Sequence, residues 1–222
     1  MSDTATPTRA RPTARFSTAR TYSDRPSKAA YIAAKYGPLL TTGSVLDVGC
    51  DRKHLAAHLR AGVRYVGVDV CPEADIIIDL ERPPLPFENA SFRTVLCADV
   101  LEHLDKAHAV FDELCRVASD SVIISLPNPM RNLLLWLADG APGQRLKFYG
   151  LPSEPPPDRH RWFFGYEDAV GFITERAAAN GFRVAQIDAE DSGLPASLTA
   201  RWPGVLDRPD FTGGTIWAVI ER

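Results

Sequence analysis

The sequence predicts an α/β domain built on a mostly parallel sheet. Short apolar strand-like runs alternate with helix-like stretches from residue 27 onward. The run Ser44-Val45-Leu46-Asp47-Val48-Gly49-Cys50-Asp51 reads as a buried strand and a tight turn, and a second strand, Tyr65-Val66-Gly67-Val68-Asp69, ends in a carboxylate twenty residues after Gly49. Ile76, Ile77 and Ile78 are consecutive, and such an unbroken β-branched run suggests burial on both faces, as in a parallel sheet.

The first 26 residues stand apart. They hold Arg9, Arg11, Arg15, Arg20 and Arg25 against Asp3 and Asp24, among many Ser, Thr and Pro. Such a segment cannot bury enough apolar area to offset its ordering entropy. A disordered basic tail is expected over 1–26, rather than a transit peptide, because the segment lacks an amphipathic apolar face; it also lacks a secretory apolar core. The domain then spans 27–222. A helix is expected over Ser27–Tyr36, with Ser27 as N-cap and Gly37-Pro38 as the stop. Val45–Val48 is the first strand. Lys53–Arg60 reads as helical, with Leu55 and Leu59 one turn apart and Gly62 ending it.

Arg64–Val70 is the second strand and Ala74–Leu80 the third. Only Cys71-Pro72-Glu73 separates them, too little for a crossover helix. Pro83–Ala90 is a loop and Arg93–Ala98 the fourth strand. Lys106–Val117 is a helix with Val110, Leu114 and Val117 on one face. Ser121–Leu126 is the fifth strand. Glu167–Asn180 is the last long helix, stopped by Asn180-Gly181. Phe182–Ala189 and Thr215–Glu221 complete the strands. Residues 127–165 form an insertion rich in Pro, Arg and aromatics, with a short apolar helix at Asn132–Ala138. Segments of this kind are lids, binding loops or disordered.

With 222 residues, 45% of them apolar, the chain can bury one substantial core. Its net charge of −3 gives no general attraction to nucleic acid or anionic membranes. The apolar run Leu133–Ala138 is far short of a bilayer span, so no transmembrane segment is expected. Cys50, Cys71, Cys97 and Cys115 show no metal or redox spacing, which suits a reduced, cytoplasmic protein.

A strand, a turn into a helix and a second strand ending in an acid present backbone N–H groups and one carboxylate to a nucleoside at the carboxyl edge of a sheet. The turn lacks the G-x-G-x-x-G that a dinucleotide pyrophosphate needs. The expected ligand is a nucleoside without phosphates, and S-adenosylmethionine fits that description.

Four segments extend this reading: Val45–Cys50, Val66–Asp69, Leu85-Pro86-Phe87 with Ser91-Phe92, and Ala98-Asp99-Val100-Leu101-Glu102-His103-Leu104. In their order and spacing, and with Asn180-Gly181-Phe182 before a strand, the chain resembles the class I S-adenosylmethionine-dependent methyltransferases from about Ser44 to Arg222. It is closest in pattern to the methyltransferase type 11-like group, which carries a Leu-Glu-His segment after strand four. The resemblance implies a Rossmann-like doubly wound sheet of seven strands, order 3-2-1-4-5-7-6, with the last strand antiparallel. It implies S-adenosylmethionine as cofactor. Asp47 and the turn Gly49, Cys50 and Asp51 would hold the methionyl end. Asp69, with Val70 beside it, would bond the ribose hydroxyls. Asp79 would accept from the adenine amino group, and the Leu80 N–H would face the ring. Asp99 and Val100 would flank the adenine and the methionine portion.

One departure stands out. The family usually has Gly where Asp51 stands, and often another at Lys53. Gly there lets the chain adopt positive φ, a region that Asp tolerates better than most residues. Asp51 is also placed to pair with the cofactor's ammonium.

Methyl transfer is an in-line displacement, so alignment and exclusion of water are the main tasks. A general base is needed only when the nucleophile arrives protonated. His103 is one candidate base or substrate contact, set against a structural role bonding loop backbone. His160, between Arg159 and Arg161 that oppose its protonation, is the other. His54 and His58 are four apart but have no third ligand nearby in sequence, so no metal is expected. Tyr149, Arg161 and Trp162, with Arg145, Lys147 and Phe148 near them, mix aromatic and cationic character. That suits a substrate partly apolar and partly anionic. The Leu133–Leu137 stripe suits a core or a homodimer contact better than a lipid surface.

The expected activity is methylation of O, N or C of a small molecule or of a saccharide or lipid intermediate. A degenerate fold acting as a binding or scaffold protein is the first alternative, supported by Asp51 and the arginine-rich tail. A nicotinamide-dependent oxidoreductase is disfavoured by the missing glycines. Nucleic acid is not an expected partner: no Asn-Pro-Pro-Tyr-type segment follows strand four, and the nearest look-alike, Leu126-Pro127-Asn128-Pro129, follows strand five.

Overall fold

A computed structural model of the chain describes residues 16–139, 149–151, 153–156, 158–191, 193–202, 204 and 206–222. Seven strands form one sheet: β1 (Ser44–Val48), β2 (Arg64–Asp69), β3 (Ile76–Ile77), β4 (Phe92–Ala98), β5 (Ala118–Leu126), β6 (Arg183–Asp191) and β7 (Gly213–Glu221). Their order is β3-β2-β1-β4-β5-β7-β6. β3, β2, β1, β4 and β5 pair in parallel, and β7 is antiparallel to both β5 and β6. This is the expected order and sense. Among the described residues no helix is long and apolar enough to cross a membrane.

Successive strand residues point to opposite faces, so a sheet covered on both sides needs continuous apolar strands. Leu46, Val95 and Ile124 go to one face, with Phe111 and Leu114 of α3 (Ala107–Val117) and Ile173 of α5 (Tyr166–Ala179). Val45, Leu96 and Ile123 go to the other, with Ile32 of α1 (Arg25–Lys35), Leu39 and Leu40 of α2 (Gly37–Leu40), and Trp217 of β7. The last helices are α4 (Pro129–Asp139), α6 (Ala196–Arg201) and α7 (Pro209–Thr212).

α1 starts earlier than expected. Asp24, not Ser27, is its N-cap: the Asp24 carboxylate accepts from the Ser27 N–H at 2.8 Å, and the Ser27 side chain returns the bond to the cap backbone. Pro26 fits the first turn, where its missing N–H costs nothing.

The tail expected over 1–26 is corrected in its second half; residues 1–15 lie outside the described residues. Phe16 is buried, and its N–H donates to Gln186 Oε1 at 2.9 Å. The Thr18 carbonyl accepts from the Asp191 N–H at 3.0 Å, and the Tyr22 hydroxyl donates to Glu190 Oε1 at 2.6 Å. The physical reason is the open edge of β6. Its unpaired backbone groups and the adjoining aromatic cluster of Tyr31, Tyr36 and Trp217 give the two aromatics of this polar segment something to bind.

Two further expectations change. The helix expected over Lys53–Arg60 is only a 3₁₀ turn, His54–His58, entered through a left-handed Lys53. The third strand is two residues long and lies at the sheet edge, with Ile76 and Ile77 exposed at 39% and 65%. Burial on both faces fails there because the link over residues 70–75 from β2 holds no helix to cover it. Ile78 alone of the three packs against the core.

Candidate active site

The parallel strands end at one edge, and the turn after β1 is shaped for close approach there. Gly49 has φ +78°, and a Cβ on it would lie 2.2 Å from Val100 Cγ2. Only Gly fits both the angle and the space. The N–H groups of Gly49 and Cys50 donate to the Val68 carbonyl at 2.8 and 3.2 Å. Asp51 and Lys53 both adopt the left-handed conformation, with φ 47° and 56°. The chain therefore keeps the backbone path that glycine would favour, at two positions without glycine.

Asp69, at the end of β2, is built into this turn. Its Oδ2 accepts from the Asp51 N–H at 2.9 Å and its Oδ1 from the Cys71 N–H at 3.1 Å. Asp47 is buried in β1, and its Oδ2 accepts from the Tyr65 hydroxyl at 2.7 Å. Burial pushes its carboxyl up to about 6; the Tyr65 bond opposes the rise and the Asp69 charge adds to it. Asp99 follows β4 with φ 55°. Ser125 Oγ donates to its Oδ1 at 2.6 Å, and Lys28 of α1 forms an ion pair with its Oδ2. Burial works to raise the Asp99 carboxyl, but the Lys28 charge and the bonds from Lys28 and Ser125 outweigh it and hold the group below the usual carboxylate range. Arg25 lies 3.0 Å from Asp51 Oδ2. Asp79 accepts from the Glu81 N–H at 3.0 Å and lies 3.1 Å from Arg82.

A cavity of about 750 Å³ runs along this edge. Every residue expected to touch the cofactor lines it: Asp47, Gly49, Cys50, Asp51, Asp69, Val70, Asp79, Leu80, Asp99 and Val100. Arg25 and Lys28 border the same space, as do Glu102, His103, Arg159, His160 and Arg161. His54 lines the cavity as well, 4.0 Å from Asp51.

The two candidate histidines meet, although 56 residues separate His103 from Arg159, whose carbonyl its Nδ1 faces at 3.3 Å. The His103 and His160 rings stack edge to face at 4.6 Å. Tyr149 lies behind His160. Its hydroxyl donates to the Trp162 carbonyl at 2.9 Å and meets His160 Nδ1 at 3.0 Å. The Arg161 N–H donates to the Glu102 carbonyl at 2.7 Å, and its guanidinium lies 3.6 Å from Asp105. Trp162 does not line the main cavity. Its Nε1 donates to the Leu104 carbonyl at 2.7 Å, and it borders a second, largely apolar cavity of about 330 Å³ with Phe163, Phe164 and Phe172. Arg145, Lys147 and Phe148 lie outside the described residues.

Sequence reasoning passed over Glu102. It is 1% exposed, borders both cavities, and its Oε2 has no hydrogen-bond partner among the described residues. Burial pushes its carboxyl well up, and the Asp99 charge adds to this. Its signal was the Leu-Glu-His segment itself, read only for its histidine. Lys28, Arg25 and Tyr65 had no such signal, because their partners lie on other elements.

A family model described as "methyltransferase domain" matches residues 18–187. No curated protein sequence matches the chain significantly. Solved structures do. An S-adenosylmethionine-dependent methyltransferase from Archaeoglobus fulgidus shares 18% identity at a TM-score of 0.59, over 90% of this chain and 95% of that one. A magnesium protoporphyrin IX methyltransferase from Synechocystis PCC 6803 with bound SAH shares 18% at 0.53, over 88% and 80%. An S-adenosylmethionine-dependent methyltransferase from Mesorhizobium loti shares 14% at 0.52, over 89% and 98%. These likenesses speak for the fold. With the family model spanning most of the chain, and with this sheet order, the chain belongs to the methyltransferase domain family as a class I S-adenosylmethionine-dependent methyltransferase.

Proposed function

We propose that the enzyme methylates an oxygen, nitrogen or carbon of a small molecule, a saccharide or lipid intermediate included, bound beneath residues 158–164. The observation that carries this is the continuity of one cavity from Asp69 and Asp79 to Glu102, His103 and His160. In this reading Asp69 bonds the ribose, Asp79 and Leu80 meet the adenine, and Asp47 with the turn Gly49–Asp51 faces the methionyl end. The methyl then points toward the two histidines. Arg159 and Arg161 line that end and suit an anionic group on the acceptor. The second cavity, sharing Glu102 with the first, has room for an apolar part.

An electron pair of the acceptor, a lone pair on oxygen or nitrogen or a π pair on carbon, forms the new bond to the methyl carbon. The carbon–sulfur bond breaks, and its electron pair returns to sulfur. A protonated acceptor loses its proton at the Glu102–His103–His160 end. The enzyme's part is to align the two and keep water out.

Calorimetric titration with S-adenosylhomocysteine tests the cofactor half. One equivalent is expected per chain, with a thermal shift by mass action. No heat and no shift at millimolar ligand would count against it. Acceptor candidates are then ranked by the S-adenosylhomocysteine they release.

A further inference from the structure

We propose that Glu102, His103 and His160 form a binding site for one divalent transition-metal cation. The proposal rests on reading this end of the cavity as the acceptor side, and it names what handles the acceptor there.

One ligand atom from each of the three residues lies within 4.8 Å of the other two. Ligands bound tetrahedrally at about 2.1 Å lie about 3.4 Å apart. Small side-chain movements therefore close the set around an ion. His103 Nε2 and Glu102 Oε1 are 3.9 Å apart, too far for a hydrogen bond and about 0.5 Å wider than the tetrahedral spacing.

The second observation is the acid. Glu102 is 1% exposed and its Oε2 has no hydrogen-bond partner among the described residues. A buried, unpartnered carboxylate oxygen is costly, and buried charges are paired or bind metals. A cation between the acid and the imidazoles removes that cost.

The third is the orientation of the rings. The Arg159 carbonyl facing His103 Nδ1 can only accept. The Tyr149 hydroxyl spends its proton on the Trp162 carbonyl, so it meets His160 Nδ1 as an acceptor. Both rings are thereby Nδ1–H tautomers, with the lone pair on Nε2. Metal-binding histidines are fixed in this way by the group that takes their other N–H. The Arg161 N–H bond to the Glu102 carbonyl ties the two chain segments together.

Two imidazoles and one carboxylate suit zinc, manganese, iron(II) or cobalt(II) rather than calcium, which takes oxygen ligands. Three protein ligands leave positions open to the cavity. A substrate hydroxyl bound there is acidified. Its proton leaves to solvent, its oxygen takes the methyl, and the carbon–sulfur electron pair returns to sulfur.

The test uses the full chain freed of metal by a chelator. Cobalt(II) is followed by its visible absorption and zinc by calorimetry, with S-adenosylhomocysteine titrated in parallel. One equivalent of zinc is expected at about micromolar Kd, weakened about tenfold or more in Glu102→Gln and His160→Ala. S-adenosylhomocysteine affinity should stay within about threefold in both variants, under roughly 0.7 kcal/mol. Should a variant fail to fold, the wild-type cobalt spectrum decides alone: ligand-field bands of a nitrogen- and oxygen-ligated site support the proposal. A wild-type chain that binds S-adenosylhomocysteine but takes up no metal overturns it. So does metal binding unchanged in both variants. Metal binding without S-adenosylhomocysteine binding would instead overturn the cofactor reading and leave the metal site standing.

Discussion

The backbone N–H of Asp51 donates to Oδ2 of Asp69 across 2.9 Å, so the acid that ends β2 also holds the turn that follows β1. Asp69→Ala should therefore do two things. It should weaken S-adenosylhomocysteine binding about ten- to a hundredfold, the equivalent of roughly 1.5–3 kcal/mol from hydrogen bonds to a charged acceptor. It should also lower the melting temperature, because the N–H groups of Asp51 and Cys71 lose their partner. Asp69→Asn keeps one acceptor oxygen and should recover part of both. A folded alanine variant with unchanged affinity would show that Asp69 does not meet the ribose.

Asp51→Gly should bind S-adenosylhomocysteine as tightly as the wild type or more tightly. Glycine adopts the observed φ of 47° freely. The carboxylate it removes already faces Arg25 at 3.0 Å, an exposed pair of small energetic worth. A tenfold loss by calorimetry would show instead that Asp51 grips the ligand's ammonium.

Asp47 should make stability fall as pH rises from about 4 to 6. Its carboxyl titrates near 3.9 when unfolded and near 6 when folded. Across that window the folded chain keeps a proton that the unfolded chain has lost, so raising the pH favours unfolding. The two-unit difference corresponds to about 3 kcal/mol, fully expressed above pH 6. Melting curves of Asp47→Asn minus wild type should rise through the window and flatten above it. A difference independent of pH would mean that the acid is ionised throughout.

Removing residues 1–15 should leave the melting temperature nearly unchanged, whereas removing 1–24 should not. The longer deletion takes away buried Phe16, the Tyr22 bond to Glu190, and the Asp24 cap. Burial of one Phe is worth about 1.5–3 kcal/mol and the cap about 1 kcal/mol. In a domain of this size the sum shifts the melting temperature by about 5–15 °C. Equal melting of both truncated forms would refute the packing of residues 16–24.

The features legible in the sequence were the local ones. Gly49, the strand before it and Asp69 twenty residues on are set by short-range backbone needs, so the turn and its acid could be read directly. The same holds for Asp99 directly after β4, whereas Asp79 lies two residues past the shortened β3. What could not be read depends on partners far along the chain. Lys28 meets Asp99 across 71 residues and Phe16 meets Gln186 across 170. The burial of Glu102 likewise comes from the fold and is not marked by its neighbours in sequence. The 3₁₀ turn at His54–His58 kept the leucine spacing of a helix, but a left-handed Lys53 took the place of a helical start.

The short third strand also bears on solubility. An edge strand offers unpaired N–H and C=O groups on which another molecule can add a strand, and exposed isoleucines would favour such pairing. In this chain the hazard is confined: β3 offers only two residues, with Pro72 before it and Pro83-Pro84 soon after. The apolar patch of Ile76 and Ile77 thus comes with too little backbone edge to template self-association, and that side of the sheet stays a terminus rather than a seed.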